Sequence, residues 1–262
     1  MSERLDAGRL AERLARVPLV RRVIVFDATG STNDDLRRLA SEGAPEGTVV
    51  VAERQTAGRG RLGRTWDSPE RVGLYLSLLF RPAEPPELLG RYAIAAAVGI
   101  CAACRELAGG GVVIKWPNDV LAGGRKLAGI LAELRSGPSG CELVMGIGVN
   151  VNHEPADFPA ELRGQATSLR LVRGGALSRE TVIETLLRAI GEVVDRMRAG
   201  AWPEVVERFL RYAPDATGRT VRLASGATGI TSGLHASGAL SVTTADGVTL
   251  VHASESVTIL AR

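Results

Sequence analysis

Gln55-Thr56-Ala57-Gly58-Arg59-Gly60-Arg61-Leu62-Gly63-Arg64-Thr65-Trp66 is the stretch on which the fold assignment turns. Taken literally, Gly58 to Gly63 has the G-x-G-x-x-G spacing of a dinucleotide-binding turn, which would make the chain a doubly wound parallel-sheet protein. The context refuses that reading. Such a turn must open a helix, yet Trp66-Asp67-Ser68-Pro69 breaks one, and the arginines are foreign to a turn that packs helix on strand. No Gly-Lys-Ser/Thr follows, so it is not a phosphate-binding P-loop either. What remains is a loop whose glycines let the backbone approach a ligand closely and whose Arg59, Arg61 and Arg64 match phosphate or carboxylate. Taken alone, a solvated basic loop has the same composition.

Working outward, residues 1–20 place Leu5, Leu10 and Leu14 among Arg and Glu, which suits one short amphipathic helix ending before Pro18. A β-branched run predicts a strand over 20–26. Ser31-Thr32-Asn33-Asp34 then offers caps for a helix reaching Ala40, and a strand follows at 48–53. Beyond the loop come a strand over 73–80 and an Ala-rich central helix over 88–107, closed by Gly109-Gly110-Gly111. The apolar stretch from Tyr92 to Cys104 is about thirteen residues, short of a membrane span, and reads as a buried helix. Strands at 112–115 and 120–121 flank a Trp116-Pro117-Asn118-Asp119 bend. Gly123-Gly124 turns tightly into a strand over 126–134, and 143–152 is the last strong strand. Helical spacing resumes over 179–198 and 203–212. After Pro214, short alternating runs at 220–224, 228–234, 239–244, 248–252 and 256–260 describe a small β-barrel, so the domain boundary falls near 214.

The 262 residues accommodate one large domain and a small one, and 45% apolar with 23% charged residues exclude a disordered or collagen-like chain. A formal charge of +3 is too small for a surface that grips nucleic acid throughout, so any anion site is local. Three cysteines make no disulfide framework and the N-terminus has no uninterrupted apolar run for export, which together suggest a reducing cytoplasm. Cys101 and Cys104 lie within an apolar helix rather than at its start, which argues against a reactive thiol. His153, His235 and His252 are scattered, without a triad partner, and suit surface or turn roles.

Two further clusters carry chemistry. In Lys115-Trp116-Pro117-Asn118-Asp119 the proline fixes a bend from which a cation and a hard oxygen ligand project, followed by Lys126-Leu127-Ala128-Gly129. A surface turn with an ion pair, and a lysine guarding a strand edge, are the plainer readings of the same residues. Gly146-Ile147-Gly148-Val149-Asn150 puts glycines where strand side chains normally pack, a sign of close approach by something else.

In order and spacing, from Val23 to Leu260, these segments resemble the biotin protein ligase family. The resemblance rests on Ser31-Thr32-Asn33, the Gly-Arg-Gly-Arg-x-Gly-Arg-x-Trp run, Lys-Trp-Pro-Asn-Asp, Arg-Lys-Leu-Ala-Gly-Ile-Leu and Gly-Ile-Gly-Val-Asn-Val-Asn. It implies an α+β fold: a central mixed sheet flanked by helices, as in class II aminoacyl-tRNA synthetases, with a small C-terminal Src-homology-3-like (SH3-like) barrel. The catalytic domain would be 1–214 and the barrel 215–262.

The activity it implies is ATP-dependent formation of biotinyl-5′-AMP, assisted by Mg²⁺, then transfer of biotin to a lysine of a biotin carboxyl carrier protein. On that resemblance the catalytic residues are Lys115, Lys126, Arg59 and Asp119. The biotin contacts are Ser31, Thr32, Asn33, Gln55, Gly58, Arg59, Gly60, Arg61, Trp66, Lys126 and Gly129. Arg59, Arg61, Arg64, Lys115, Asn118, Lys126 and Asn150 would face ATP or the adenylate, and Asp119 with Asn150 the magnesium. Ala166-Thr167-Ser168-Leu169 offers no aromatic ring for adenine where family members carry one. Loop 58–66 would close over the labile adenylate and move when the site is empty.

Only about twenty residues precede the first strand, so neither a DNA-binding domain nor operator binding is expected, and no membrane span. Exposed strands after Gly124 suggest a two-fold homodimer. Rival readings are a lipoate protein ligase and a non-catalytic nucleotide- or nucleic-acid-binding module.

Overall fold

Every residue of strand β3 (Gly73–Phe80) is buried, and its period-two alternation divides the interior into two layers. Leu74, Leu76, Leu78 and Phe80 enter the main core, whereas Leu79 packs on the opposite face with Leu36, Ala40, Val50 and Val144. Ser77 and Tyr75 share that second face, and the site is built there. The computed structural model describes residues 3–137, 140–255 and 257–260. The first two residues of the expected N-terminal segment and residue 256 of the last expected strand lie outside the described residues.

The central sheet adds β1 (Arg22–Phe26), β2 (Thr48–Ala52), β4 (Val112–Lys115), β5 (Asp119–Ala122), β6 (Arg125–Gly137) and β7 (Gly140–Asn150), in the order β1-β2-β3-β7-β6-β5-β4. β1 and β2 are parallel, joined through helix α2 (Thr32–Ser41); the other neighbours are antiparallel. Gly123 and Gly124, at φ 56° and 74°, make the two-residue turn between the paired Ala122 and Arg125. Pairing with β5 begins at Arg125 and ends at Gly129; beyond it, among the described residues, β6 keeps only β7 as a strand neighbour.

Helices α1 (Ala7–Leu14), α3 (Gly90–Ala108), α5 (Arg179–Arg198) and α6 (Trp202–Tyr212) cover the main-core face. The segment Pro86–Ala108 has the length and hydropathy of a membrane span, but α3 packs its apolar residues into the core. Gly99 lets it sit on α5: a Cβ there would lie 2.7 Å from Ile190 Cα. Burial pushes the Cys101 thiol up to about 11 and raises Cys104 as well, consistent with inert thiols. A fully buried ion pair joins Glu53, at the end of β2, to Arg179 at 2.7 and 3.0 Å. Leu5 N donates to Glu53 Oε1 at 2.5 Å, and Arg179 donates to the Glu3 carbonyl at 2.6 Å, so the N-terminal segment seals this pair.

A second sheet, β8 (Thr217–Leu223), β9 (Thr228–Leu234), β10 (Leu240–Thr244), β11 (Gly247–Val251) and β12 (Val257–Ile259), runs antiparallel throughout in the order β11-β10-β9-β8-β12. Val221, Leu240, Val242 and Val251 fill its inner side. This is the α+β architecture expected above, a mixed sheet flanked by helices with an SH3-like unit. The first helix is short and ends before Pro18 as expected, and its start is fixed at Ala7, where Asp6 accepts from Arg9 N. Several expectations are corrected in detail. The β6–β7 hairpin runs past the core because cross-strand pairs such as Arg135 with Glu142 continue the ladder. A helix α4 (Leu169–Arg173) went unforeseen although Ser168 caps it and Gly174 ends it at φ 85°. His153 is buried, stacked on Phe158 at 4.9 Å, not at the surface.

Candidate active site

Ser31 occupies the N-cap position of α2, yet its hydroxyl makes no capping bond. The Ser-Thr-Asn-Asp run that reads as a cap is turned toward a cleft instead. Thr32 N donates to Gln55 Oε1 at 2.9 Å, and Thr32 Oγ1 lies 3.1 Å from the same oxygen. Gln55 Nε2 donates to Ser68 Oγ at 3.0 Å. Behind Thr32, the fully buried Ser77 Oγ is 2.8 Å from Thr32 Oγ1 and 2.6 Å from Asn33 Oδ1, while Asn33 Nδ2 donates to Glu133 Oε2 at 2.7 Å. A ring of neutral polar groups, with both donors and acceptors, forms one end of the cleft.

The floor is made by the glycines. Gly129 and Gly148 are cross-strand partners on β6 and β7. A Cβ on Gly148 would meet Trp66 Cε2 at 2.3 Å, and one on Gly129 would meet Trp66 Cζ3 at 2.9 Å. Gly146 makes the same room for Asn33, whose Oδ1 would be 2.4 Å from its Cβ. The approach implied by glycine in a strand is thus that of Trp66 and Asn33. The indole Nε1 is buried without an acceptor among the described residues.

The far end is cationic. Lys126 Nζ lies 2.8 Å from Asp119 Oδ1 and 5.4 Å from the centre of the Trp66 ring. Arg61 donates to Asn118 Oδ1 at 2.9 Å and, through Nη2, to the carbonyls of Ala253 and Glu255 in the C-terminal unit. Burial pulls the Arg61 guanidinium below its usual value, opposed by Asp119. Arg59 pairs with both oxygens of Asp34, at 2.5 and 2.8 Å, and stands 3.5 Å from Glu133; its hydrogen bond holds the Asp34 carboxyl below the usual carboxylate range.

Comparison with known proteins places this geometry. Residues 25–150 match the biotin/lipoate A/B protein ligase family. The crystal structure of the biotin protein ligase from Aquifex aeolicus in complex with biotin and ATP superposes with a TM-score of 0.78 at 30% identity, covering 92% of this chain and 100% of that one. The chain belongs to the biotin protein ligase family. The bifunctional ligase/repressor BirA of Bacillus subtilis is 41% identical over 186 residues, 69% of this chain and 57% of that protein. The biotin–[acetyl-CoA-carboxylase] ligase of Mycobacterium tuberculosis is 39% identical over 175 residues, 65% and 63%. The matched part therefore spans somewhat over half the length of these curated relatives.

In this biotin protein ligase family member, one cleft gathers most of the residues singled out in the sequence: Ser31, Thr32, Asn33, Gln55, Arg59, Gly60, Arg61, Trp66, Asn118, Lys126 and Gly129. Five lie off its wall. Gly58 sits beneath it, where a Cβ would meet Trp66 O at 2.5 Å. Arg64 is exposed, its carbonyl closing the loop on Gly60 N at 2.7 Å. Lys115 is exposed on the edge strand; Asp119 is its cross-strand partner but pairs with Lys126 instead. Asn150 Nδ2 donates to the carbonyls of Lys126 at 3.3 Å and Thr167 at 3.0 Å. Among the described residues no three His, Cys, Asp or Glu side chains cluster.

Residues given no site role in the sequence reading, Tyr75, Ser77, Ile130, Leu131 and Glu133, line or back the cleft. Ser77 had a signal, as the one hydroxyl-bearing aliphatic position in Gly-Leu-Tyr-Leu-Ser-Leu-Leu-Phe. Glu133 had none.

Proposed function

We propose that this chain condenses biotin with ATP to biotinyl-5′-AMP and then acylates a lysine of a biotin carboxyl carrier protein, in the cytoplasm, where its three free thiols are at home. The observation that carries the reading is a single cleft with neutral hydrogen-bonding groups at one end, suited to a cyclic urea, an indole floor, and Lys126 with Arg61 at the other, suited to a carboxylate meeting a phosphate.

Biotin's carboxylate is ionised at neutral pH, so adenylation needs no general base; its obstacle is one anion attacking another. Lys126 and Arg61 screen that repulsion and hold the carboxylate oxygen in line with the α-phosphorus as pyrophosphate departs. Asp119 positions Lys126 rather than acting as base. Magnesium would enter with the substrate as Mg-ATP and neutralise the phosphate oxygens, with Asp119 and Asn150 as the oxygen donors on this chain that would help hold it. The mixed anhydride hydrolyses in open water, and loop 58–66 with Trp66 keeps water from it. The acceptor amine then bonds to the acyl carbon, the C–O bond to AMP breaks, and no enzyme nucleophile takes part.

Exchange of labelled pyrophosphate into ATP tests this: the expected result is exchange that requires biotin. Exchange requiring lipoate instead would make the chain a lipoate ligase, and no exchange with either would leave a binding module.

A further inference from the structure

The hydrogen-bond chain behind Thr32 has a direction that its end members impose. Glu133 Oε2 can only accept, and it lies 2.7 Å from Asn33 Nδ2; the Leu131 carbonyl, also an acceptor, is 3.5 Å from the same nitrogen. The Asn33 amide therefore has one orientation, NH₂ toward β6 and Oδ1 toward β3. Oδ1 is 2.6 Å from Ser77 Oγ and takes the single proton of that hydroxyl. Ser77 Oγ then has only lone pairs left, and Thr32 Oγ1 is 2.8 Å away. Thr32 then directs its own proton inward, because Ser77 Oγ at 2.8 Å is nearer than the second acceptor in reach, Gln55 Oε1 at 3.1 Å, and would otherwise face Thr32 Oγ1 lone pair against lone pair. No water can substitute, because Ser77 is fully buried. Thr32 Oγ1 is left offering lone pairs to the cleft.

We infer that Ser77 and Glu133 are positioning residues that fix the polarity of this chain, so that Thr32 accepts from a ring N–H and the cleft selects a cyclic urea over a cyclic carbamate of the same shape. The inference rests on the biotin reading above. A ring oxygen in place of the N–H faces lone pair against lone pair, and a buried polar group without a partner is strongly disfavoured.

The test is titration calorimetry of the wild type, Ser77→Ala and Glu133→Ala with biotin and with its two carbamate analogues, each having oxygen in place of one ureido N–H. The wild type is expected to favour biotin over one of these analogues by at least about tenfold. Ser77→Ala frees the Thr32 proton to turn outward. Glu133→Ala frees the Asn33 amide to rotate and reverse the chain, and because Glu133 is partly exposed this variant folds even if Ser77→Ala does not. Each folded variant narrows that ratio by about tenfold, a change that a merely loosened cleft, weakening both ligands alike, would not produce. An unchanged ratio in either folded variant overturns the inference while leaving biotin binding intact. A wild type that binds no biotin overturns the functional reading itself, and the inference with it.

Discussion

Gly148 carries the tightest constraint in the site. Its backbone is extended within β7, so alanine is conformationally free there, and the obstacle is Trp66 alone, 2.3 Å from where the Cβ would stand. Gly148→Ala should lift the indole off the floor and weaken biotin binding by about 1–3 kcal/mol, the usual range for overpacking. Titration calorimetry measures this, and Trp66→Phe in the same background should recover part of the loss. Unchanged affinity would mean that the indole leaves that seat when ligand binds. The sequence alone says that something approaches a glycine in a strand; it does not name a tryptophan on a distant loop, because the pairing of β3 with β7 and the course of loop 58–66 bring the two together.

At the scale of elements, loop 58–66 is held at two points by its own arginines. Arg59 ties its root to the first turn of α2, and Arg61 ties it to Asn118 and to the turn at 252–255, which is itself closed by Glu255 Oε2 accepting from His252 N at 2.7 Å. Arg61→Ala is expected to raise amide hydrogen exchange at 58–66 and at 252–255 together, by about tenfold or more where the tether is the main restraint. Faster exchange in the loop alone would show that the C-terminal turn does not hold it in solution. That Arg59 and Arg61 belong to an anion-binding loop was legible from residue type and spacing. Their present partners were not: Asp34 looked like a cap and 252–255 like a barrel turn, because capping preference and turn composition are local properties, blind to what lies across the cleft.

Across the whole molecule, stability should depend on pH through His153. Burial lowers its folded-state value from 6.5 to about 4, so below about 6.5 the unfolded chain binds a proton that the folded chain refuses. Stability from this group is complete above pH 6.5 and falls as pH drops toward 4, by about 3 kcal/mol at most. Urea unfolding at pH 7 and pH 4.5 should show a smaller acid loss in His153→Gln than in the wild type; equal losses would mean that the ring is solvated. The individual strands, the central helix and the late run of short strands could be read from periodicity and turn residues, since burial of a strand or helix face imposes its period directly on the chain, whereas their union in one mixed sheet was implied only by the family resemblance. The family resemblance could be read from the five motifs, since each keeps chemistry within a few neighbouring residues. The three-dimensional arrangement alone decided that Asp119 pairs with Lys126, that Asn150 Nδ2 bonds the Lys126 and Thr167 carbonyls, that Ser77 and Glu133 stand behind Thr32, and that His153 is buried. The contacts of Asn150, Ser77 and Glu133 join residues far apart in sequence, and even the nearer Asp119–Lys126 and His153–Phe158 contacts leave no periodic mark on the chain.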